Sequence, residues 1–146
     1  SCEKLYAFDI HNDFDNIAKL CDRYGIKNYH LSTQSIDNTN FENDSFDAIV
    51  AVSVLEFVPD INKAILEIKR ILKKDGVFIT ICPMESSILD FFLAFYTRKS
   101  PREESGDARQ KVSKILEKNF KIVKKGYMLP IIGKFFPIYT HYKLKK

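Results

Sequence analysis

Cysteine, glycine and tryptophan are scarce in this sequence, and the cysteine pattern excludes two kinds of site. The 146 residues include three cysteines, five glycines and no tryptophan. Cys2, Cys21 and Cys82 are an odd set without C-x-x-C spacing, so neither a disulfide framework nor a zinc site is expected. This cysteine usage favours a reducing, cytoplasmic setting. The length suits one domain and is too short for two.

Sequence motifs for metal, nucleophile and phosphate chemistry are lacking as well. His11, His30 and His141 are isolated, with no H-x-x-x-H spacing, so no metal site is expected. Neither G-x-S-x-G nor G-x-x-x-x-G-K-[ST] occurs, and no nucleic-acid-binding module is recognisable. The longest apolar-rich run, Ile88 to Tyr96, is far too short to span a bilayer. No basic-then-apolar leader opens the sequence.

Charge is distributed unevenly along the chain. Residues 1–60 contain eleven acids and four bases, whereas residues 61–146 contain eight acids and nineteen bases. The last stretch, Asn119 to Lys146, has seven lysines, several aromatic residues and no acid. Such asymmetry indicates either a surface for anionic partners, including a membrane or lipid, or a solvated lysine face. The sequence leaves both interpretations open.

Short apolar runs alternate with amphipathic segments along the chain. The predicted strands are Leu5–Phe8, Tyr29–Leu31, Ala48–Val52, Val77–Cys82, Phe120–Val123 and Tyr139–Leu144. The predicted helices run from an Asp13 cap to Gly25, from Asp60 to Gly76, over residues 86–96 and onward from an Asp107 cap. Alternation of this kind predicts an α/β fold with a mainly parallel sheet that is covered on both faces.

One block of the sequence carries a recognisable signature. It comprises Phe46-Asp47-Ala48-Ile49-Val50, then Leu55-Glu56-Phe57-Val58-Pro59-Asp60, then Arg70-Ile71-Leu72-Lys73 and Gly76. This block resembles the class I S-adenosylmethionine-dependent methyltransferases that act on small molecules, such as those of ubiquinone and menaquinone biosynthesis. The resemblance implies one Rossmann-like, doubly wound domain over residues 1–146, with a mostly parallel sheet and an antiparallel C-terminal strand. It also implies methyl transfer from S-adenosylmethionine.

The resemblance implies cofactor contacts from segments that follow three strands. The residues concerned are Asp9, Ile10, Ser35, Ile36, Ser53 and Val54. Asp9 would accept the ribose hydroxyls, because ligands of such sheets bind beyond the carboxyl ends of the strands. Ile36 would pack on adenine, and Ser35 stands where the family carries an aspartate. The alternatives are an exposed strand-end acid at Asp9 and a plain turn at residues 35–36.

No catalytic residue is assigned from the sequence. The methyl group of a sulfonium is already activated, so the protein mainly positions the partners and excludes water. A side-chain base is needed only if the acceptor must first lose a proton. Glu56 stands where relatives often carry His or Glu facing the active site, but an exposed acid at a helix start is the favoured interpretation.

Two segments are expected to cover the acceptor, residues 84–106 and residues 127–138. With the start of the last strand they supply seven large aromatic residues: Phe91, Phe92, Phe95, Tyr96, Phe135, Phe136 and Tyr139. These rings favour a small acceptor that is apolar or lipid-like. The alternative is that they complete the core beneath a long connection.

The family's central first strand and its glycine-rich loop have no counterpart in residues 1–146. That strand would lie between the strand ending at Asp9 and the strand Ala48–Val52, and nothing before Leu5 can supply it. Because unpaired apolar edges aggregate, we expect additional N-terminal chain, a strand from a neighbour, or a closed gap. Residues 1–146 alone are expected not to methylate anything.

Two alternative functions remain open, and so does the oligomeric state. One is a non-catalytic methyltransferase-like domain that acts in binding or regulation. The other is a nicotinamide-dependent oxidoreductase, in which a strand-end acid also binds a ribose.

Overall fold

The computed structural model of the chain describes residues 2–83, 111–127 and 139–146. Its elements are β1 (Leu5–Asp9), α1 (Asp15–Arg23), β2 (Tyr29–Thr33), β3 (Phe46–Val52), a 3-10 turn (Leu55–Phe57), α2 (Ile61–Ile71), β4 (Leu72–Pro83), β5 (Lys121–Tyr127) and β6 (Tyr139–Lys145). Residues 111–119 are helical and are called α3. The helix predicted over 86–96 and the Asp107 cap lie outside the described residues.

The strands form two groups with the expected mixture of directions. β1 pairs with β2 in parallel. The second group has the order β3-β4-β6-β5, in which β3 and β4 are parallel and β6 is antiparallel to both of its neighbours. The predicted α/β class, with parallel strands followed by an antiparallel C-terminal strand, is confirmed.

The facing edges of β1 and β3 are not joined. Within the described residues, no strand pairs with β3 on the side away from β4, or with β1 on the side away from β2. Side chains bridge the opening instead, since the ring centroids of Tyr6 and Phe46 lie 5.5 Å apart. Closure by direct pairing is therefore wrong for this part of the chain. A strand supplied from elsewhere stays a prediction.

One face of the larger sheet carries the hydrophobic core. The buried cluster consists of Ala51, Leu55, Ile65, Ile68, Leu72, Phe78, Cys82, Val112, Leu116, Phe120, Tyr142 and Leu144. It joins the sheet to α2 and α3, because apolar side chains recur along each helix at the spacing that lines one face. We call this side of the sheet the helix face and the opposite side the open face.

Helix α2 begins as predicted and ends earlier than predicted. The Asp60 side chain accepts hydrogen bonds from the backbone amides of Asn62 and Lys63 at 3.0 and 3.1 Å, which satisfies amides that the first turn leaves unpaired. The helix stops at Ile71 rather than near Gly76, because Leu72 is fully buried and already extended. A Cβ at Gly76 would lie 2.9 Å from the carbonyl oxygen of Lys73, so glycine permits a close approach here.

The predicted cap of α1 is wrong. The helix starts at Asp15, and its N-cap residue is Phe14, which makes no side-chain capping bond. Asp15 lies in the first turn, where a negative charge is favoured by the helix dipole. A capping aspartate and a first-turn aspartate have similar sequence patterns, and the two residues differ here by only two positions.

A polar clamp joins the 34–45 connection to α2. Glu67 accepts two hydrogen bonds from Arg70 at 2.7 Å and two from Thr39, from its amide at 3.0 Å and its hydroxyl at 2.5 Å. Arg70 also donates to the Asn43 side chain at 2.8 Å. The Arg70 guanidinium and then Thr39 lower the pKa of Glu67 to about 2. The clamp fixes the connection that carries Ser35 and Ile36.

Glu67→Gln is expected to destabilise the protein by about 1–3 kcal/mol at neutral pH, because the pKa of this carboxyl is lower in the folded state than in the unfolded state. A lowered folded pKa stabilises above the unfolded value of 4.5. The difference between wild type and variant should therefore shrink as the pH falls from 4.5 towards 2. Urea unfolding at several pH values measures it. Glu117→Gln, which removes an exposed partner of Lys125, should change little. A pH-independent difference would contradict the clamp's electrostatic role.

Candidate cofactor and acceptor site

The carboxyl ends of the parallel strands bring the predicted residues into two groups. Asp9 ends β1, and its carbonyl accepts a hydrogen bond from the Gln34 amide at 2.9 Å, which places Ser35 beside that strand end. Ser53 follows β3, and its amide donates to the Ile81 carbonyl of β4 at 2.9 Å. The first group stands on the β1–β2 pair and the second on the larger sheet. Among the described residues, no strand pairing links the two groups.

Asp9 presents a half-exposed carboxylate that His11 orients. One carboxylate oxygen, Oδ1, accepts from the His11 backbone amide at 2.9 Å and contacts the His11 Nδ1 at 2.8 Å. The amide bond and then the ring contact lower the pKa of Asp9, so the group is ionised at neutral pH. An ionised strand-end carboxylate fits the hydroxyls of a ribose. Sequence reasoning missed His11, although the Asp-x-His spacing was visible. Ile10 between them is 67% exposed.

Residues 35–38 form a turn that also carries groups suited to adenine. The Asn38 amide donates to the Ser35 carbonyl at 3.1 Å, and the Ser35 hydroxyl donates to Asp37 Oδ1 at 2.5 Å. Ile36 is half-buried and packs against the core cluster. Asp37 was missed in the sequence, yet it places a carboxylate next to the serine that stands in the family's aspartate position. The turn interpretation and the cofactor interpretation are thus compatible.

Ser53 adopts a backbone conformation that serine rarely takes. Its φ is 48°, in the left-handed region where a Cβ crowds the backbone. Strain of this kind concentrates at ligand sites and is held by the surrounding structure, here by the Ser53 amide bond to β4. Val54 follows it and is 39% exposed. The segment leaving β3 therefore turns sharply at the carboxyl edge.

A cavity lies beside this turn. Its volume is about 320 Å³, and its lining residues are Val52, Ser53, Ile81, Tyr139 and His141. His141 contacts the β5 backbone closely, since a Cβ at Gly126 would lie 2.5 Å from the imidazole. The lining is mainly apolar with a few polar tips, which is typical of small-molecule sites. His141 was interpreted from the sequence as an isolated residue, because the antiparallel pairing that brings it here is a long-range feature.

Glu56 is buried, so its interpretation as an exposed acid at a helix start is wrong. It is 9% exposed and lies in the 3-10 turn after β3. Burial raises the pKa of the Cys82 thiol, and the nearby negative charge of Glu56 raises it further. Glu56 lies in the turn after β3 and Cys82 lies near the end of β4, the two strands whose carboxyl ends line the cavity.

The remaining predictions concern metal ligands, membrane-spanning helices and the segments expected to cover the acceptor. In residues 2–83, 111–127 and 139–146, no three potential metal ligands come together, and no helix is long and apolar enough to cross a membrane. The acceptor-covering segments 84–106 and 127–138 lie outside the described residues, except for Tyr127 at the end of β5.

Comparison with known proteins decides the family. A family model described as a methyltransferase domain matches residues 1–80, more than half of the chain. The chain belongs to the class I S-adenosylmethionine-dependent methyltransferases. It is 30% identical over 76 residues to the uncharacterized methyltransferase YcgJ of Bacillus subtilis (strain 168), an alignment that covers 51% of this chain and 30% of that protein. The alignment thus spans less than a third of this relative's length.

Solved methyltransferase structures share the fold. A S-adenosylmethionine-dependent methyltransferase from Aquifex aeolicus has a TM-score of 0.66 at 19% identity, covering 97% of this chain and 68% of its own. The Bacillus subtilis YcgJ structure has a TM-score of 0.61 at 16% identity, and the alignment covers 98% of this chain and 80% of the YcgJ chain. A geranyl diphosphate methyltransferase in complex with S-adenosylmethionine has a TM-score of 0.65 at 12% identity, and the alignment covers 97% of this chain and 68% of that methyltransferase. The predicted fold is confirmed.

Ser53→Gly is expected to leave the stability of this methyltransferase domain within about 1 kcal/mol of wild type. Glycine relieves the backbone strain at the left-handed φ, but it also raises the conformational entropy of the unfolded chain, and the two effects offset each other. Ser53→Val should destabilise it by about 1–2 kcal/mol, since a β-branched side chain fits that region worst. Thermal unfolding measures both changes. Thr33→Val, at an exposed position in β2, is the matched control and should be neutral. Equal stability of the two Ser53 variants would contradict the strained turn.

Proposed function

We propose that the chain holds S-adenosylmethionine across the carboxyl edge of its strands for methyl transfer to a small acceptor that is apolar or lipid-like. The observation that carries the cofactor part is Asp9, an ionised and half-exposed carboxylate held by His11 at the end of β1. Support for the same orientation comes from the Ser35–Asp37 turn next to Asp9 and from the strained turn at Ser53. The Ser35–Asp37 turn would bind the adenine, and the turn at Ser53 would lie beside the methionine portion of the cofactor.

When bound, the cofactor supplies a methyl group on a sulfonium, which an acceptor attacks directly in line. The chain's own residues then mainly orient the two partners and exclude water, which are the larger contributions to such a reaction. Asp9 would bind the ribose hydroxyls, and Ile36 would pack against the ring. Val52, Ile81 and Tyr139 would shield the acceptor in the cavity. This division of roles requires no strongly reactive side chain.

The acceptor class is inferred from the cavity. Its apolar lining residues are Val52 of β3, which is exposed, and Ile81 of β4, which is half-buried, so an apolar body would be favoured over a charged one. A relative of the same fold is described as a geranyl diphosphate methyltransferase, a protein whose named substrate has an isoprenoid chain. That likeness, at 12% identity, supports the proposal without identifying the acceptor.

Asp9→Ala is expected to weaken the binding of S-adenosylhomocysteine roughly 10- to 100-fold, because a hydrogen bond to a charged acceptor is lost. Calorimetric titration of a complete chain measures the affinity, because the family's glycine-rich loop has no counterpart in residues 1–146. Asp13→Ala, which removes an exposed acid four residues further on, is the matched control and should bind like wild type.

Two results would contradict this assignment. Unchanged affinity in Asp9→Ala would remove Asp9 from the site. Tighter binding of NAD than of S-adenosylhomocysteine by wild type would favour the oxidoreductase alternative instead.

A further inference from the structure

The side-chain hydrogen bond in the turn at residues 35–38 has a fixed direction. The Ser35 hydroxyl donates its only proton to Asp37 Oδ1 at 2.5 Å. An ionised carboxylate has no proton to give, so the chemistry of the two groups sets which one donates. Because its proton is committed to Asp37, the Ser35 oxygen can act towards a third group only as an acceptor.

The bond to Asp37 also makes the Ser35 oxygen a stronger acceptor. A hydroxyl bonded to a carboxylate forms a short, charge-assisted hydrogen bond, and 2.5 Å lies at the short end of that range. Hydrogen bonds in a chain polarise one another, so a hydroxyl that donates strongly also accepts more strongly. The acceptor strength of Ser35 is therefore supplied by its neighbour.

The surrounding residues hold the Asp37 carboxylate in this role. Only 22% of the Asp37 side chain is exposed, and its second oxygen, Oδ2, lies 3.9 Å from Lys63 Nζ of α2. The lysine charge favours an oxygen on that side, which leaves Oδ1 for Ser35. On the side of Ser35 towards β2, the Gln34 side chain accepts a hydrogen bond from the Asn40 amide at 2.8 Å. Supporting bonds of this kind hold a binding group in one orientation.

Closing the turn does not require the bond between the two side chains. Serine and aspartate in turns usually bond to nearby backbone groups. Here the backbone already closes the turn, because the Asn38 amide donates to the Ser35 carbonyl at 3.1 Å. The bond from Ser35 to Asp37 instead fixes the hydrogen-bonding polarity of the serine hydroxyl.

We propose that the Ser35–Asp37 pair selects a purine that carries an exocyclic amine over one that carries a keto oxygen. The proposal rests on the proposed function, in which the adenine of the cofactor binds at this turn. The amine of adenine donates hydrogen bonds, whereas a keto oxygen at the same ring position accepts them. Ser35 would contact the amine directly, and Asp37 would act through Ser35 as a positioning residue.

A keto purine is rejected because two acceptors would face each other. The Ser35 hydroxyl could turn its proton to the ligand only by giving up its charge-assisted bond to Asp37. If it did so, Asp37 would keep a part-buried carboxylate oxygen without that donor, which is costly. Sites that are built around one hydrogen-bonding pattern reject analogues with the opposite pattern for this reason.

The test compares S-adenosylhomocysteine with its deaminated analogue, S-inosylhomocysteine, by calorimetric titration of a complete chain. Wild type should bind the adenosyl compound roughly 10- to 100-fold more tightly, because the inosyl compound loses a hydrogen bond and leaves an acceptor unpaired. Ser35→Ala should lower this ratio of affinities roughly 10-fold, since the discriminating oxygen is gone. A wild type that binds both compounds equally would overturn the proposal.

Asp37→Asn separates the polarity of the pair from the structure of the turn. Its amide oxygen should face the Lys63 ammonium and its amide nitrogen should face Ser35, where it donates to the serine oxygen and frees the serine proton for the ligand. The ratio of affinities should therefore fall to about one or reverse in favour of the inosyl compound. A merely structural role would weaken both ligands equally, and an unchanged ratio would overturn the proposal.

Asp22→Asn is the matched control for the loss of one negative charge. Asp22 is an exposed acid of α1, so this variant should keep the wild-type ratio of affinities. Circular dichroism checks that each variant is folded. A ratio that falls equally in Asp22→Asn and Asp37→Asn would overturn the proposal, because net charge alone would then explain it.

Failure of this proposal and failure of the proposed function give different results. If wild type binds neither compound, the proposed function fails and the specificity proposal fails with it. If wild type binds S-adenosylhomocysteine and Asp9→Ala weakens that binding, the cofactor site stands. An Asp37→Asn ratio equal to that of wild type would then overturn the specificity proposal alone.

Discussion

The polar clamp of Glu67, Arg70 and Thr39 is the interaction on which the arrangement of the site depends. In the described residues the β1–β2 pair and the larger sheet share no strand pairing, so contacts of the connection between β2 and β3 help to set their relative position. They include backbone hydrogen bonds from Asp44 and Ser45 to the end of α2. The clamp ties the connection between β2 and β3 to α2, and α2 is packed on the larger sheet through Ile65 and Ile68. Aromatic contacts of Phe41 with Tyr6 and Phe46 reinforce the same link. The proposed cofactor residues at the two strand ends are therefore held by the clamp, by the Asp37–Lys63 ion pair at 3.9 Å and by a group of rings.

The chemistry of the site is that of positioning. The groups at the carboxyl edge are a strand-end carboxylate, a turn with a serine and an aspartate, and a strained serine beside a cavity. Each suits a part of a nucleoside-containing cofactor, and none needs unusual reactivity, because an activated methyl donor leaves orientation and water exclusion as the protein's main tasks. Glu56 is a buried acid in the turn after β3, unlike the exposed carboxylate of Asp9.

Local patterns in the sequence predicted most of the fold. Apolar runs identified every strand of the described residues, and the Asp60 cap identified the start of α2. The end of α2 was misjudged because Leu72 continues the helical apolar spacing, while its burial and strand pairing are tertiary effects. At the candidate site, the strand-end position of Asp9 was predicted from the sequence, and its role as a cofactor residue stays a prediction. Glu56 was misjudged as exposed, because its burial after β3 is a tertiary effect. His141 lines the cavity through antiparallel pairing, which leaves no local signal.

The central claim is that one cofactor site spans both groups of strand ends. Nuclear magnetic resonance of the ¹⁵N-labelled chain, titrated with S-adenosylhomocysteine, tests it most directly because it detects weak binding residue by residue. The account predicts coupled amide shifts at Asp9, Ile10, Ser35 and Ile36 on one side and at Ser53 and Val54 on the other, with a single affinity. Shifts confined to one of the two groups, or clustered away from the carboxyl edge, would contradict it.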